Sequence, residues 1–257
     1  MQLRFRVFLA VIAIYITHLS LRPLPAYSNQ VQFITEEVPP IAYTHNGILT
    51  GYNIDLVRYI WKQMHIPEHK VKVQPWARSI KYFNTKTPTC LFPVVLTKQR
   101  RATYRSVATP FSFKIVLFTL KKNANQFTSS FQLKNARICV TKTSSILHLL
   151  REGGYSDDNF EYGTSFANTV IKFHKERAPL LVGSIPSVVH NYRQIGGNTS
   201  DLHIVSVIKT VPNGFLFNDA VPQSFIDNFQ KAMDQFTYTD ETKTIYDKAR
   251  YYYNPTQ

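Results

Sequence analysis

Apolar residues recur along the chain in two rhythms, and the rhythms alternate. Gln30 to Thr35 reads as a strand, stopped by Val38-Pro39-Pro40, and His45-Asn46-Gly47 marks a turn. Behind Gly51-Tyr52-Asn53, the residues Ile54, Val57, Ile60, Trp61 and Met64 fall on one face at helical spacing. Asn53 is placed to cap that helix, and Pro67 lies just past its end. Val71 to Val73 is a short strand, Trp76 to Phe83 a helix and Leu91 to Val95 a buried strand. Strand and helix in turn predict an α/β fold with a mainly parallel sheet flanked by helices.

The β-rich run Phe113 to Leu120 predicts a first crossing out of this unit, and a polar stretch, Lys121 to Ser130, follows. A second α/β series then begins. Strands are expected at Ala136 to Val140, near Phe160 to Tyr162 and at Pro179 to Val182. Helices are expected at Ile146 to Arg151, Phe166 to Lys175 and Ser187 to Tyr192. Gly196-Gly197-Asn198 ends the series, and strands at Ile204 to Ile208 and Gly214 to Phe217 carry the chain back. The last predicted helix places Phe225, Phe229, Met233 and Phe236 in register behind Pro222. Two lobes with a two-strand hinge result: residues 29–117 plus 213–257, and residues 118–212. In open α/β sheets, ligands bind beyond the carboxyl ends of the parallel strands, which here face each other across the interlobe cleft.

The N-terminus carries a different signal. Arg4 and Arg6 precede the uncharged apolar run Val7 to Ile16, and Ala26-Tyr27-Ser28 supplies small residues for cleavage. This pattern predicts a secretory signal peptide over residues 1–28 and a periplasmic protein; a retained N-terminal anchor is the rival reading. No later stretch is long and apolar enough to span a bilayer. The formal charge of +14 is spread along the chain in short clusters such as Arg100-Arg101 and Lys121-Lys122. No recognition-helix or zinc-finger spacing accompanies it, so a solvated basic surface is expected and nucleic acid is not. Cys90 and Cys139 fall in strands of different lobes, where a disulfide would restrain lobe motion. Two buried free thiols are therefore favoured over a bridge.

Several short motifs, in this order and spacing, carry a resemblance. They are Gly51-Tyr52-Asn53-Ile54-Asp55-Leu56 after the loop Glu37 to Tyr43, then Pro75-Trp76-Ala77-Arg78, Leu96-Thr97-Lys98-Gln99-Arg100 and Ala108-Thr109-Pro110-Phe111. Together they resemble the bacterial extracellular solute-binding proteins of family 3, the polar amino-acid type. The resemblance implies a two-lobed periplasmic-binding-protein-like (type II) clamp, without cofactor or metal, that closes on a small-molecule ligand as a monomer. Its implied partner is an inner-membrane ABC permease or a receptor. It implies that Arg100 holds a ligand carboxylate, for which a planar guanidinium is the matching bidentate donor. Tyr43 and Trp76 fall where relatives wall in the ligand, with Arg78 beside Trp76, and Glu37 is the acid placed to meet a ligand ammonium. Thr143, Ser144 and Ser145 open the helix at Ile146, where they suit either an anion contact or an ordinary cap.

One departure bears on the ligand. Relatives carry an Asp in lobe two for the α-ammonium, and the matching stretch here, Ala178 to Ser184, has no acid, so either Glu37 or another acid substitutes or the ligand is not a standard α-amino acid. Other motifs fail on their context. His65-Ile66-Pro67-Glu68-His69 has zinc-site spacing, but Pro67 breaks the helix that the spacing needs. No nucleophile-elbow or phosphate-loop pattern is present. A binding protein is expected and an enzyme is not; a lyase or dehydratase on the same scaffold is the alternative, as is a sensor module.

Overall fold

The computed structural model describes residues 31–142, 144 and 146–253. The expected signal peptide, Thr143 and Ser145 lie outside the described residues.

Lobe one opens with β1 (Gln32–Thr35), a hairpin of β2 (Tyr43–His45) and β3 (Ile48–Thr50), and the helix α1 (Tyr52–Gln63). β4 (Val71–Val73), α2 (Trp76–Phe83), β5 (Thr89–Val95) and α3 (Lys98–Thr103) follow. The strand β6 (Arg105–Leu120) then leaves for lobe two. That lobe holds α4 (Ser130–Asn135), β7 (Ile138–Thr141), α5 (Ile146–Glu152), β8 (Phe160–Gly163), α6 (Phe166–His174), β9 (Leu180–Ser184) and α7 (Ile185–Gln194). β10 (Leu202–Phe217) brings the chain back, and α8 (Gln223–Asp234) and α9 (Lys243–Tyr253) close it. Among the described residues, no helix is long and apolar enough to cross a membrane.

Apart from the β2–β3 hairpin, the strands form one sheet in the order β4-β1-β5-β10-β6-β9-β7-β8. The outer strands of each lobe pair in parallel, β4, β1 and β5 at one end and β9, β7 and β8 at the other. The centre is antiparallel. β6 and β10 pair from Leu202↔Leu120 to Phe217↔Arg105 and so run through both lobes. The sequence predicts two short returning strands where the structure has one long strand. Three register shifts, at Ile204/Ser206, Val207/Lys209 and Pro212/Gly214, let it bend without breaking.

Among the described residues, the buried apolar side chains form three clusters, and the largest of them runs from lobe one into lobe two. In lobe one Phe33 lies between Trp61, at 4.9 Å, and Phe229, at 6.3 Å. All three are buried, and each such side chain contributes about 1.5–3 kcal/mol to folding. In lobe two Val170, Phe173, Val188 and Tyr192 cover one face of the sheet. Ile54, Val57, Ile60 and Trp61 of α1 are buried as their spacing predicts. Asn53 is not the cap. The helix begins at Tyr52 behind Gly51, whose φ of 116° leaves a glycine there, and Asn53 turns inward to Asn213. Phe225, Phe229 and Met233 are buried along α8, and Phe236 is buried beyond its end. There it stacks on Tyr246 of α9, a helix the sequence reading does not contain. Cys90 and Cys139 are free and buried.

Candidate functional site

A cleft of about 820 Å³ lies between the two ends of the sheet, walled by residues of both lobes.

The lobe-one wall starts where β1 ends. Glu36 follows Thr35 and turns into the cleft. Helix α2 needs an acceptor at its first turn, because Pro75 in the capping position has no side-chain group to offer. Glu36 Oε1 meets that need by accepting the Trp76 N–H at 2.5 Å. The bond fixes Trp76 at the start of α2 with its ring toward the cleft. Arg100 reaches the same ring from α3, which Thr97 caps by accepting the Arg100 N–H at 3.2 Å. The guanidinium carbon of Arg100 lies 5.0 Å from the Trp76 ring centroid, and Nη1 donates to Val95 O at 2.8 Å. A half-buried guanidinium held on an aromatic face at one edge keeps its other N–H groups for a ligand.

The electrostatics follow from burial. Desolvation raises Glu36 above the usual carboxylate value, while the Trp76 N–H and the Arg100 charge act against it. Desolvation lowers Arg100, opposed by Tyr104 and Glu36, and the group remains a cation.

The lobe-two wall is built from the C-terminal ends of β7, β8 and β9 and the turns that follow. Thr141, Ser144, Thr164, Ser165, Ser184 and Ser187 line it with hydroxyls, and Asn191 and Gln194 add amides from α7. Much of this hydroxyl capacity serves local structure. Ser144 accepts the Ile146 N–H at 3.2 Å, Ser165 the Asn168 N–H at 3.1 Å and Ser184 the Ser187 N–H at 3.4 Å. Ser144 therefore acts as a cap while still facing the cleft.

The two walls meet at the mouth. Tyr43 of the lobe-one hairpin packs edge-on against His190 of α7, with ring centroids 5.3 Å apart. Desolvation lowers His190, and Arg193 and His45 push it the same way, all three favouring the uncharged ring.

Of the residues named from the sequence, Arg100, Tyr43, Trp76, Glu37 and Ser144 all line the cleft. Glu37 is exposed at the rim, and its two oxygens are taken by the Thr44 N–H at 2.9 Å and hydroxyl at 2.6 Å. Arg78 is exposed on α2 and is not among the lining residues. It stands two residues from Trp76, and positions so spaced do not share a helix face. Glu36 and His190 were missed. Glu36 and Glu37 both line the cleft, Glu36 half-buried and Glu37 exposed, and the packing that separates them is tertiary. His190 has no motif around it. Among the described residues, no group of three or more His, Cys, Asp or Glu is placed to hold a metal ion.

The sequence model of the family described as bacterial extracellular solute-binding proteins, family 3, matches residues 31–250. No curated protein matches the sequence. Solved structures share the fold at low identity. The GluR0 ligand-binding core from Nostoc punctiforme in complex with L-glutamate is 18% identical, with a TM-score of 0.69 over 85% of this chain and 98% of that one. An ABC uptake transporter substrate-binding protein from Streptococcus pneumoniae with bound histidine is 14% identical, with a TM-score of 0.71 over 86% and 92%. A histidine kinase sensor domain with similarity to periplasmic binding proteins is 12% identical, with a TM-score of 0.70 over 86% and 95%.

Proposed function

Because the chain belongs to the bacterial extracellular solute-binding proteins of family 3, we propose that it is a periplasmic clamp for a small polar ligand, an amino acid or a related carboxylate. The ligand enters between lobe one, residues 29–117 plus 213–257, and lobe two, residues 118–212. Closure then shifts the population toward a form that an ABC-type permease recognises. The observation that carries this reading is Arg100, a half-buried cation seated on Trp76 inside the cleft with donors to spare. Export by a cleaved signal peptide over 1–28 and a monomeric, cofactor-free, non-catalytic clamp complete the proposal. A receptor in place of the permease is the second reading, supported by the occurrence of this fold in a histidine kinase sensor domain.

The test is a thermal-shift screen of amino acids and small carboxylates against the wild type and Arg100→Ala. Stabilisation by a ligand in the wild type and its loss in the variant is the expected result. An equal shift in both removes Arg100 from the site.

A further inference from the structure

We infer that lobe one alone reads both charges of the ligand, Arg100 the carboxylate and Glu36 the ammonium, while lobe two receives an uncharged, hydrogen-bonding tail. The inference rests on the solute-binding reading and names the ligand class for the same cleft: zwitterions with a neutral polar side group.

The charge distribution carries it. The acids and the permanent cation that line the cleft, Glu36, Glu37 and Arg100, all belong to lobe one. Glu37 is already engaged by Thr44 on both oxygens. Glu36 is not. Its Oε1 caps α2, and its Oε2 accepts no hydrogen bond among the described residues. The carboxylate is half-buried and close enough to Arg100 for their charges to interact. Trp76 links the two groups, its N–H on Glu36 and its ring against Arg100. An acid and a base beside one tryptophan match the adjacent charges of a compact zwitterion. Ammonium binding also gives the desolvated Glu36 a counter-charge on its free oxygen.

The opposite wall contains no Asp, Glu, Lys or Arg among its described lining residues. What it offers is hydroxyls, the Asn191 and Gln194 amides, and apolar surface from Ile146 and Phe166. A charged tail buried there finds no counter-charge. An anionic tail gains something from the helix ends at Ser165 and Ser184, but less than its lost hydration. A cationic tail gains nothing. A tail with an amide or hydroxyl exchanges water for the groups on the wall and keeps its hydrogen bonds.

A matched set of probes tests this by calorimetry on the full mature chain: L-glutamine, L-glutamate, L-lysine and glutaramate, which is glutamine without its amino group. L-glutamine is expected to bind at least tenfold more tightly than each of the other three. Glu36→Gln, shown folded by circular dichroism melting, is expected to reduce L-glutamine to within threefold of glutaramate. L-glutamate or L-lysine binding as tightly as L-glutamine overturns the neutral-tail assignment. Glutaramate binding as tightly overturns the ammonium assignment, and so does unchanged glutamine affinity in Glu36→Gln. No measurable L-glutamine binding overturns both. Arg100→Ala separates the two levels: a preference for L-glutamate that vanishes in Arg100→Ala refutes only the ligand class. Binding that survives Arg100→Ala unchanged refutes the cleft reading itself.

Discussion

Replacing Asn213 with alanine removes a knot of buried hydrogen bonds where the two crossing strands enter lobe one. Asn213 is fully buried on β10, beside the register shift at Pro212/Gly214. Its Oδ1 accepts from Asn53 Nδ2 at 3.3 Å and from the Thr109 hydroxyl at 3.1 Å, and its Nδ2 donates to Phe111 O. Asn53 Oδ1 has no partner among the described residues, so the bond from Asn53 Nδ2 to Asn213 is what holds that amide. Thr109 retains Phe111 O at 3.0 Å after the substitution, which softens one of the three losses. At about 1 kcal/mol for each net hydrogen bond, the cost is about 2–3 kcal/mol. For a chain of this size that lowers the melting temperature by roughly 4–12 °C. Differential scanning fluorimetry and urea denaturation read it, with the midpoint falling at an unchanged slope. A melting temperature within about 1 °C of the wild type would refute the view that this network holds β10 against α1 and β6.

Other substitutions reach different parts of the account. Gly163→Ala puts a Cβ 2.1 Å from Thr169 Oγ1 and 2.8 Å from its Cα, and a loss of about 1–3 kcal/mol in chemical denaturation is expected. An unchanged midpoint would mean that α6 shifts freely. Because burial raises Glu36, folding is favoured by its protonated form; that contribution is complete below the ordinary carboxylate value and is lost as pH rises through the folded one. Glu36→Gln should therefore melt higher than the wild type at pH 7, with the gap closing toward pH 4, and a gap that widens on acidification would contradict the assignment. Trp76→Ala removes the face under Arg100 and should weaken ligand binding about fivefold to tenfold by calorimetry. Burial pushes the Cys139 thiol up to about 12 and raises Cys90 well above its usual value. Ellman's reagent should therefore find no reactive thiol in the native chain and both after denaturation; rapid native labelling would show that the sheet opens.

Local pattern carried most of the fold into view. The stripe on α1, the alternation of strand and helix, and the crossing at Phe113 to Leu120 are each legible, because each rests on spacing within one element. Features that depend on partners were not legible. The β2–β3 hairpin is three residues a side, too short for a period to register. Helix α9 is mostly polar and joins the core through Ile245 and Ala249, with Tyr246 packed on Phe236 and Phe111. The cleft divides in the same way. Arg100 and Trp76 sit in contiguous motifs that mark them. Glu36 is distinguished from Glu37 only by how far the fold buries it. His190 enters the mouth from a helix whose position is set by the whole of lobe two.

The most direct test is native mass spectrometry of the mature chain after incubation with a filtered bacterial periplasmic extract. If a small molecule is held between the lobes by Arg100 and Trp76, the wild type carries a single one-to-one adduct, and Arg100→Ala, equally folded, carries none. A wild-type chain that stays bare, or an adduct that persists at equal intensity in Arg100→Ala, would contradict the account.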